Sequence, residues 1–217
     1  RFSYAQDIWG YNNGKTSNTT NIPTIPELTL MGIPAHADRN VDTNYTKSGI
    51  IKQIVYPTGG SLNFTFENNR DDANALVGGL RIKRIINYDS VASKSLVTEY
   101  RYNDDNGVST GYVATRPSFH YFYDTGDQGQ ANCRISGDPV YPLFGNQGSP
   151  ITYTRVEKVE IGDNQEYKSR HHFYSDLSGF NISPDATYRN YSIGVPFNKP
   201  PDLQRFSYHP YSTEVFK

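Results

Sequence analysis

Any chemistry in this chain has to come from His120, His171 and His172, from carboxylates and amides set close together, from Cys133, or from tyrosine rings. Imidazole is the usual metal ligand and proton shuttle near neutral pH, so the three histidines are candidates for a metal or acid–base site with nearby carboxylates. Their spacing argues for structural roles. Adjacent strand residues face opposite ways, so His171 and His172 cannot serve one site together, and no pair has the spacing of helical metal ligands. Asn103, Asp104 and Asp105, followed by Asn106-Gly107, concentrate oxygen donors in a loop as a calcium site does. A calcium loop also spaces its ligands on alternate residues and closes with a bidentate carboxylate, and neither feature is clear here. Asn-Gly and Asp-rich runs are also the ordinary way to reverse a hairpin, so a turn is the simpler reading and calcium the alternative. Asn68-Asn69-Arg70-Asp71-Asp72 reads the same way.

A glycoside hydrolase needs two acids facing each other across a cleft. Glu99 and Glu160 alternate with apolar residues and fall on the solvent side of their strands, where a solvated charge is the default. There is no Gly-x-Ser-x-Gly elbow and no glycine loop of the phosphate-cradling kind. Cys133 lies in a polar stretch without a neighbouring histidine, so nothing in the sequence activates its thiol. The expectation is a non-enzymatic chain with no resident cofactor. Tyrosine is the remaining candidate. Tyr102, Tyr121, Tyr123 and Tyr174 end neighbouring strand units, and rings on a wet strand surface stack on sugars, which makes these four the candidate ligand-binding residues. The competing reading, which alternation favours, is that they fill a β core by cross-strand pairing.

The elements that would position these residues are strands. Eighteen tyrosines and 11 phenylalanines stand against one methionine and one tryptophan, a mixture suited to pleated, half-buried surfaces. Lysine plus arginine is 21 and aspartate plus glutamate is 22, a formal charge of −1 that gives no general attraction to nucleic acid. With one cysteine no intrachain disulfide can form, which argues against a disulfide-stapled ectodomain but not against a bacterial exported protein. Sequons at Asn18, Asn44, Asn63, Asn181 and Asn190 are few enough to arise by chance in so polar a chain. No stretch is long and apolar enough to cross a bilayer. The opening Arg1-Phe2-Ser3-Tyr4 has neither an initiator methionine nor a signal-peptide pattern, so the expectation is a piece of a longer protein.

Residues 1–49 are polar and rich in turn formers, and read as an irregular segment packing on a sheet formed by a single unit over residues 50–217. Three hairpins are expected in that unit. The first runs from Ile50 to Tyr56, turns at Pro57-Thr58-Gly59-Gly60 and returns through Leu62-Asn63-Phe64-Thr65-Phe66, where alternation is strict. The second runs from Leu80 to Ile86 and returns from Leu96 to Tyr102 with its even-numbered residues inward. The third runs from Tyr153 to Ile161, turns at Gly162-Asp163-Asn164 and returns from Tyr167 to Tyr174. A short strand is expected at Phe119–Tyr123, with loops over Asp124–Pro150 and Ser175–Asp202. The best helical candidate, Arg70–Val77, is too short to carry a period. The fold class is therefore all-β, an antiparallel sheet of repeated hairpins with long irregular loops.

At the hairpins the sequence resembles YD-repeat (Rhs-like) proteins, whose units place a glycine four residues before an aromatic-x-aromatic-acid ending. Gly60 followed by Phe64-Thr65-Phe66-Glu67 carries the likeness, with glutamate for aspartate. Tyr121-Phe122-Tyr123-Asp124 and Tyr100-Arg101-Tyr102-Asn103 keep the ending without the glycine, and Phe173-Tyr174-Ser175-Asp176 departs further. Through Asp7-Ile8-Trp9-Gly10-Tyr11, Ala37-Asp38-Arg39, Tyr56-Pro57-Thr58-Gly59-Gly60, Val77-Gly78-Gly79-Leu80-Arg81-Ile82, Asn87-Tyr88-Asp89-Ser90 and Gly145-Asn146-Gln147-Gly148-Ser149, the chain is similar to large exported proteins of Bacteroidetes that carry YD-like repeats. That resemblance implies a cell-envelope or surface location and a scaffold role within a parent chain of many domains. The remainder of that chain is the implied partner, with glycans or other surface proteins beside it. It implies no catalytic residues. A carbohydrate-binding module using exposed tyrosines is the alternative, and a hydrolase-type domain a further one.

Overall fold

In the computed structural model, the residues whose structure is described are 3–25, 29, 32, 34, 36–113, 116–124, 131–140, 149–173 and 212–216. The expected loop over Ser175–Asp202, the fourth candidate tyrosine Tyr174 and the side chain of Tyr123 lie outside them. The architecture is all-β. β1 (Gln53–Val55), β2 (Ser61–Arg70), β3 (Leu76–Asp89) and β4 (Lys94–Arg101) form an antiparallel meander. Next come β5 (Gly111–Tyr112), β6 (His120–Asp124), β7 (Ala131–Ile135) and β8 (Thr152–Tyr153), then β9 (Arg155–Gly162), β10 (Gln165–His172) and β11 (Ser212–Phe216). The main sheet has seven strands in the order β1-β2-β3-β4-β9-β10-β11, while β5 pairs with β8 and β6 with β7 in two small ribbons. The insertion between β4 and β9 thus leaves the ladder intact, because β4 and β9 pair directly from Val97↔Ile161 to Arg101↔Glu157.

Each turn has a local cause. Asp163 and Asn164 both have positive φ, 49° and 61°, and Gly162 stands opposite Gln165, so the β9–β10 connection is a two-residue mirror-image turn whose twist matches the strands. Between β2 and β3, Asp71 Oδ1 accepts the amides of Ala73 (3.1 Å) and Ala75 (2.7 Å), and Asn74 adopts φ 59°. The Arg70–Val77 segment is therefore a side-chain-closed turn between two strands and not a helix, as expected of a residue pattern in which Asp competes for its own backbone. The three strand pairs anticipated by alternation are adjacent here, but unequal. β1 has three residues, β3 has 14, and β2 pairs with β3 over almost its whole length. β7 falls inside the Asp124–Pro150 segment expected to be loop, its five residues Ala131–Ile135 lacking the aromatic run that marked β6.

The core sits at the β2–β3 turn end of the sheet. Trp9, Val77 and Ile151 are buried together, with Ile8, Val41, Val113 and Tyr153 packed around them. Two register shifts bend β3 against β2, and at the second Asn68↔Leu80 is followed by Asn69↔Val77, which bulges out Gly78 and Gly79. The bulge admits the N-terminal segment. A Cβ at Gly78 would stand 2.6 Å from Trp9 Cβ, and Gly79, at φ 84°, has the Tyr11 ring 2.9 Å from the same position.

That segment holds itself by side-chain-to-backbone bonds in place of a ladder. Buried Asp7 accepts the amides of Trp9 and Tyr11 on Oδ1, both at 2.9 Å. Buried Asn13 donates to the carbonyls of Asp38 (3.0 Å) and Asn40 (3.2 Å), and Asn18 bridges Tyr4 and Asp38. Arg39, also buried, gives its donors to the carbonyls of Gln6, Asp7, Asn21 and Gly137 and lies 4.5 Å over the Phe119 ring. One guanidinium thereby fastens three separate stretches of chain, at Gln6-Asp7, Asn21 and Gly137.

Candidate functional site

The polar groups of the sheet converge where β3 and β4 leave one another, beside a reversing loop after β4. Arg81 on β3 is nearly buried, at 8% exposure of its side chain, and forks onto Glu67 of β2 through Nε and Nη2, both at 2.8 Å. Its guanidinium carbon lies 4.4 Å from the Tyr102 ring centre and 5.1 Å from that of Tyr153, whose rings are themselves 4.7 Å apart. The two hydroxyls are spent on backbone and side chain, Tyr102 donating to the Ile82 carbonyl at 2.7 Å and Tyr153 to Asn69 Oδ1 at 2.9 Å. Asn69 in turn donates to the Gly78 carbonyl at 2.9 Å, which links this stack to the bulge that receives Trp9. Burial raises the Tyr102 and Tyr153 hydroxyls above the ordinary tyrosine pKa.

The loop is the Asn103–Ser109 hairpin, bridged at its ends by those two residues. Asp104 Oδ1 accepts the amides of Asn106 and Val108, each at 2.9 Å, and Gly107 supplies φ 82°. Asp105 points its carboxylate at two arginines of the main sheet, taking Nη2 of Arg155 at 2.6 Å and Nη2 of Arg170 at 3.2 Å on the same oxygen. The Arg155 hydrogen bond holds the Asp105 carboxyl below the usual aspartate range. From there ion pairs run across the sheet: Arg84 with Glu99 (3.5 Å), Glu99 with Arg101 (3.8 Å), Arg101 with Glu157 (3.1 Å), Glu157 with Arg170 (3.4 Å) and Arg170 with Glu214 (3.6 Å). The chain of charges crosses from β3 to β11.

The structure places the sequence candidates as follows. Tyr102 is a packed residue, 8% exposed, whose hydroxyl is already bonded. Tyr121 lies on β6 with Arg134 Nη1 at 3.5 Å from its hydroxyl, in a different sheet from β4, after whose last residue Tyr102 stands. Of Asn103, Asp104 and Asp105, Asp104 closes the turn and Asp105 pairs with arginine, so the cluster's carboxylates are divided between two structural partners. Among the described residues, no group of three or more His, Cys, Asp or Glu side chains is disposed to hold a metal ion. His120 stands on β6 and His171 and His172 on β10, so the histidines are not brought together. His171 lies 3.2 Å from both Ser169 Oγ and Thr213 Oγ1. Glu99 opposes Val159 and Glu160 opposes Thr98, which puts the two acids on opposite faces of the sheet. The arginines were not candidates. A cation in an alternating strand reads as a wet side chain, and only the pairing of β4 with β9 collects Arg81, Arg101 and Arg155 around one groove.

Fold and site together define an all-β protein built on a seven-stranded antiparallel sheet, with an arginine-rich groove at one end. Comparison of the chain with protein-family models, with curated proteins and with solved structures finds no match. No helix among the described residues is long and apolar enough to cross a membrane.

Proposed function

We propose that this chain is a non-catalytic scaffold segment of a large exported, cell-surface bacterial protein, in which its sheet continues into strands of the parent chain. The observation that carries this reading is the state of the sheet's two edges. Val55 on β1 is 65% exposed, and Val215 and Phe216 on β11 are 71% and 41% exposed. Among the described residues neither strand has a second neighbour. Edge strands of self-contained domains are guarded by charge, proline or bulges; here the one charge, Glu214 of β11, is paired inward with Arg170, and exposed β-branched and aromatic side chains remain on these edges. Further strands of the same protein are the fitting partner, because backbone pairing across an edge needs no particular side-chain chemistry.

The test is to place lysine at the edges. Val55→Lys and Val215→Lys sit at exposed positions, so each changes the melting temperature of the isolated chain by no more than about 0.5 kcal/mol equivalent. In the intact protein the same changes are expected to open this segment to protease, and unchanged protease resistance there would overturn the reading.

A further inference from the structure

The groove bounded by β3, β4 and the Asn103–Ser109 hairpin encloses about 740 Å3. Five cationic side chains, Arg70, Arg81, Lys83, Arg101 and Arg155, line it alongside four carboxylates. The cations are in surplus, and they are unevenly satisfied. Arg70 donates to the Asn74 carbonyl at 2.7 Å and has no acidic partner among the described residues. Lys83 and Arg101 are 60% and 50% exposed; Lys83 shares Glu67 with Arg81, and Arg101 shares Glu99 with Arg84 and Glu157 with Arg170. Arg155 in the groove wall and Arg170 beside it, reached through Asp105, are 14% and 22% exposed, and the Nε–H of each has no hydrogen-bond partner. Arg155 has its acidic partner in one oxygen of Asp105, a residue 72% exposed on a reversing loop, and Arg170 shares that oxygen while also pairing with Glu157 (3.4 Å) and Glu214 (3.6 Å). The planar guanidinium of Arg155 is thus answered by a single, exposed carboxylate oxygen, where a group with two or three oxygens would pair with it in forked geometry and still reach Arg170.

We infer that this groove binds the acidic units of a polysaccharide, with Arg101, Arg155 and Arg170 holding a sugar carboxylate or sulfate in the place that the Asp105 carboxylate fills. The alternation of charge in the wall selects that class. Glu67 and Glu157 stand among the cations, so a nucleic acid, with a phosphate at every step, meets repulsion along the groove. A glycan separates its anionic groups by hydroxyls, and those hydroxyls donate to the free lone pairs of the same carboxylates. Asp105 then acts as an internal competitor, occupying the arginines until a ligand anion displaces it.

The experiment is titration calorimetry of the whole 217-residue chain with an oligogalacturonate, a heparin-derived oligosaccharide, a neutral cello-oligosaccharide and an oligothymidylate of similar length. Saturable binding of one or both acidic glycans is expected, weakening as salt rises, with the stronger of the two naming the anion as carboxylate or sulfate. Asp105→Ala removes the competitor and is expected to tighten binding about threefold to tenfold, whereas a residue that merely supports the loop would weaken it or leave it alone. Arg101→Gln, at a half-exposed position that leaves the fold intact by circular dichroism, is expected to loosen binding about tenfold. Arg155→Gln loosens it further if the variant folds, and Arg101→Gln carries the test if it does not. Failure of both acidic glycans to bind, equal binding of the thymidylate or the neutral glycan, or an Asp105→Ala variant with unchanged or weaker affinity would each overturn the inference.

Discussion

At the scale of single residues, order in the N-terminal segment depends on polar side chains that are buried, Asp7 first among them. Its Oδ1 holds the Trp9 and Tyr11 amides, while Oδ2 has no partner, and burial raises its pKa above the ordinary 3.8 against the opposing pull of those amides and of Arg39. Asp7→Ala would strand two buried donors and is expected to cost about 2–4 kcal/mol in thermal unfolding, while Asp7→Asn keeps the acceptor and costs less. The sign of the pH dependence follows from the raised value. Between 3.8 and the folded-state pKa, the folded chain holds a proton that the unfolded chain has lost, so the Asp7 contribution falls as pH rises through that window. The melting temperature of the wild type relative to Asp7→Asn should therefore decline from about pH 4 upward. A wild-type advantage that grows with pH would mean that attraction to Arg39 outweighs desolvation. None of this was legible in the sequence, where Asp7 and Asn13 look like ordinary loop polars, because their burial depends on Arg39 and on a distant bulge.

At the scale of elements, the Gly78–Gly79 bulge joins the sheet to everything N-terminal of it. Gly78→Ala would drive a methyl into Trp9 and is expected to cost about 1–3 kcal/mol by overpacking. Trp9 is the sole tryptophan of the chain, so a red shift of intrinsic fluorescence would report its release, and an unchanged spectrum with unchanged stability would contradict the packing described. The strands themselves were readable wherever alternation ran long enough. Leu62, Phe64 and Phe66 mark β2, and Gly162-Asp163-Asn164 marks the turn that positive φ at two residues then realises. β5, β7 and β11 were missed: β5 has only two residues, and β7 and β11 carry polar residues (Asn132 and Arg134, Ser212 to Glu214) in place of the aromatic run that marked the equally short β6. Ile50–Tyr56 was read too long, since only Gln53–Val55 finds a partner in β2. The glycine pair drew notice only as part of a resemblance, and its physical cause, the approach of Trp9, is a contact almost seventy residues away in sequence.

At the scale of the molecule, a small core at one end supports a sheet whose other end and edges keep apolar side chains exposed, among them Val55, Tyr88, Leu96, Tyr167 and Val215. Among the described residues these exposed apolar side chains lie at the edges and far end of the ladder, and the proposed scaffold role draws on them. The candidate site was half legible: the Asn103–Asp105 cluster was located, but its carboxylates act as turn-closer and arginine partner, and the arginines entered through strand order alone. The most direct check is amide hydrogen exchange followed by mass spectrometry, on the chain alone and on the longer protein proposed to contain it. The account predicts slowest exchange in β2 and β3 in both samples, and fast exchange at Gln53–Val55 and Ser212–Phe216 in the chain alone that slows by about tenfold or more in the intact protein. Edge amides that exchange equally fast in both, or β2 and β3 amides no slower than the edges, would contradict it.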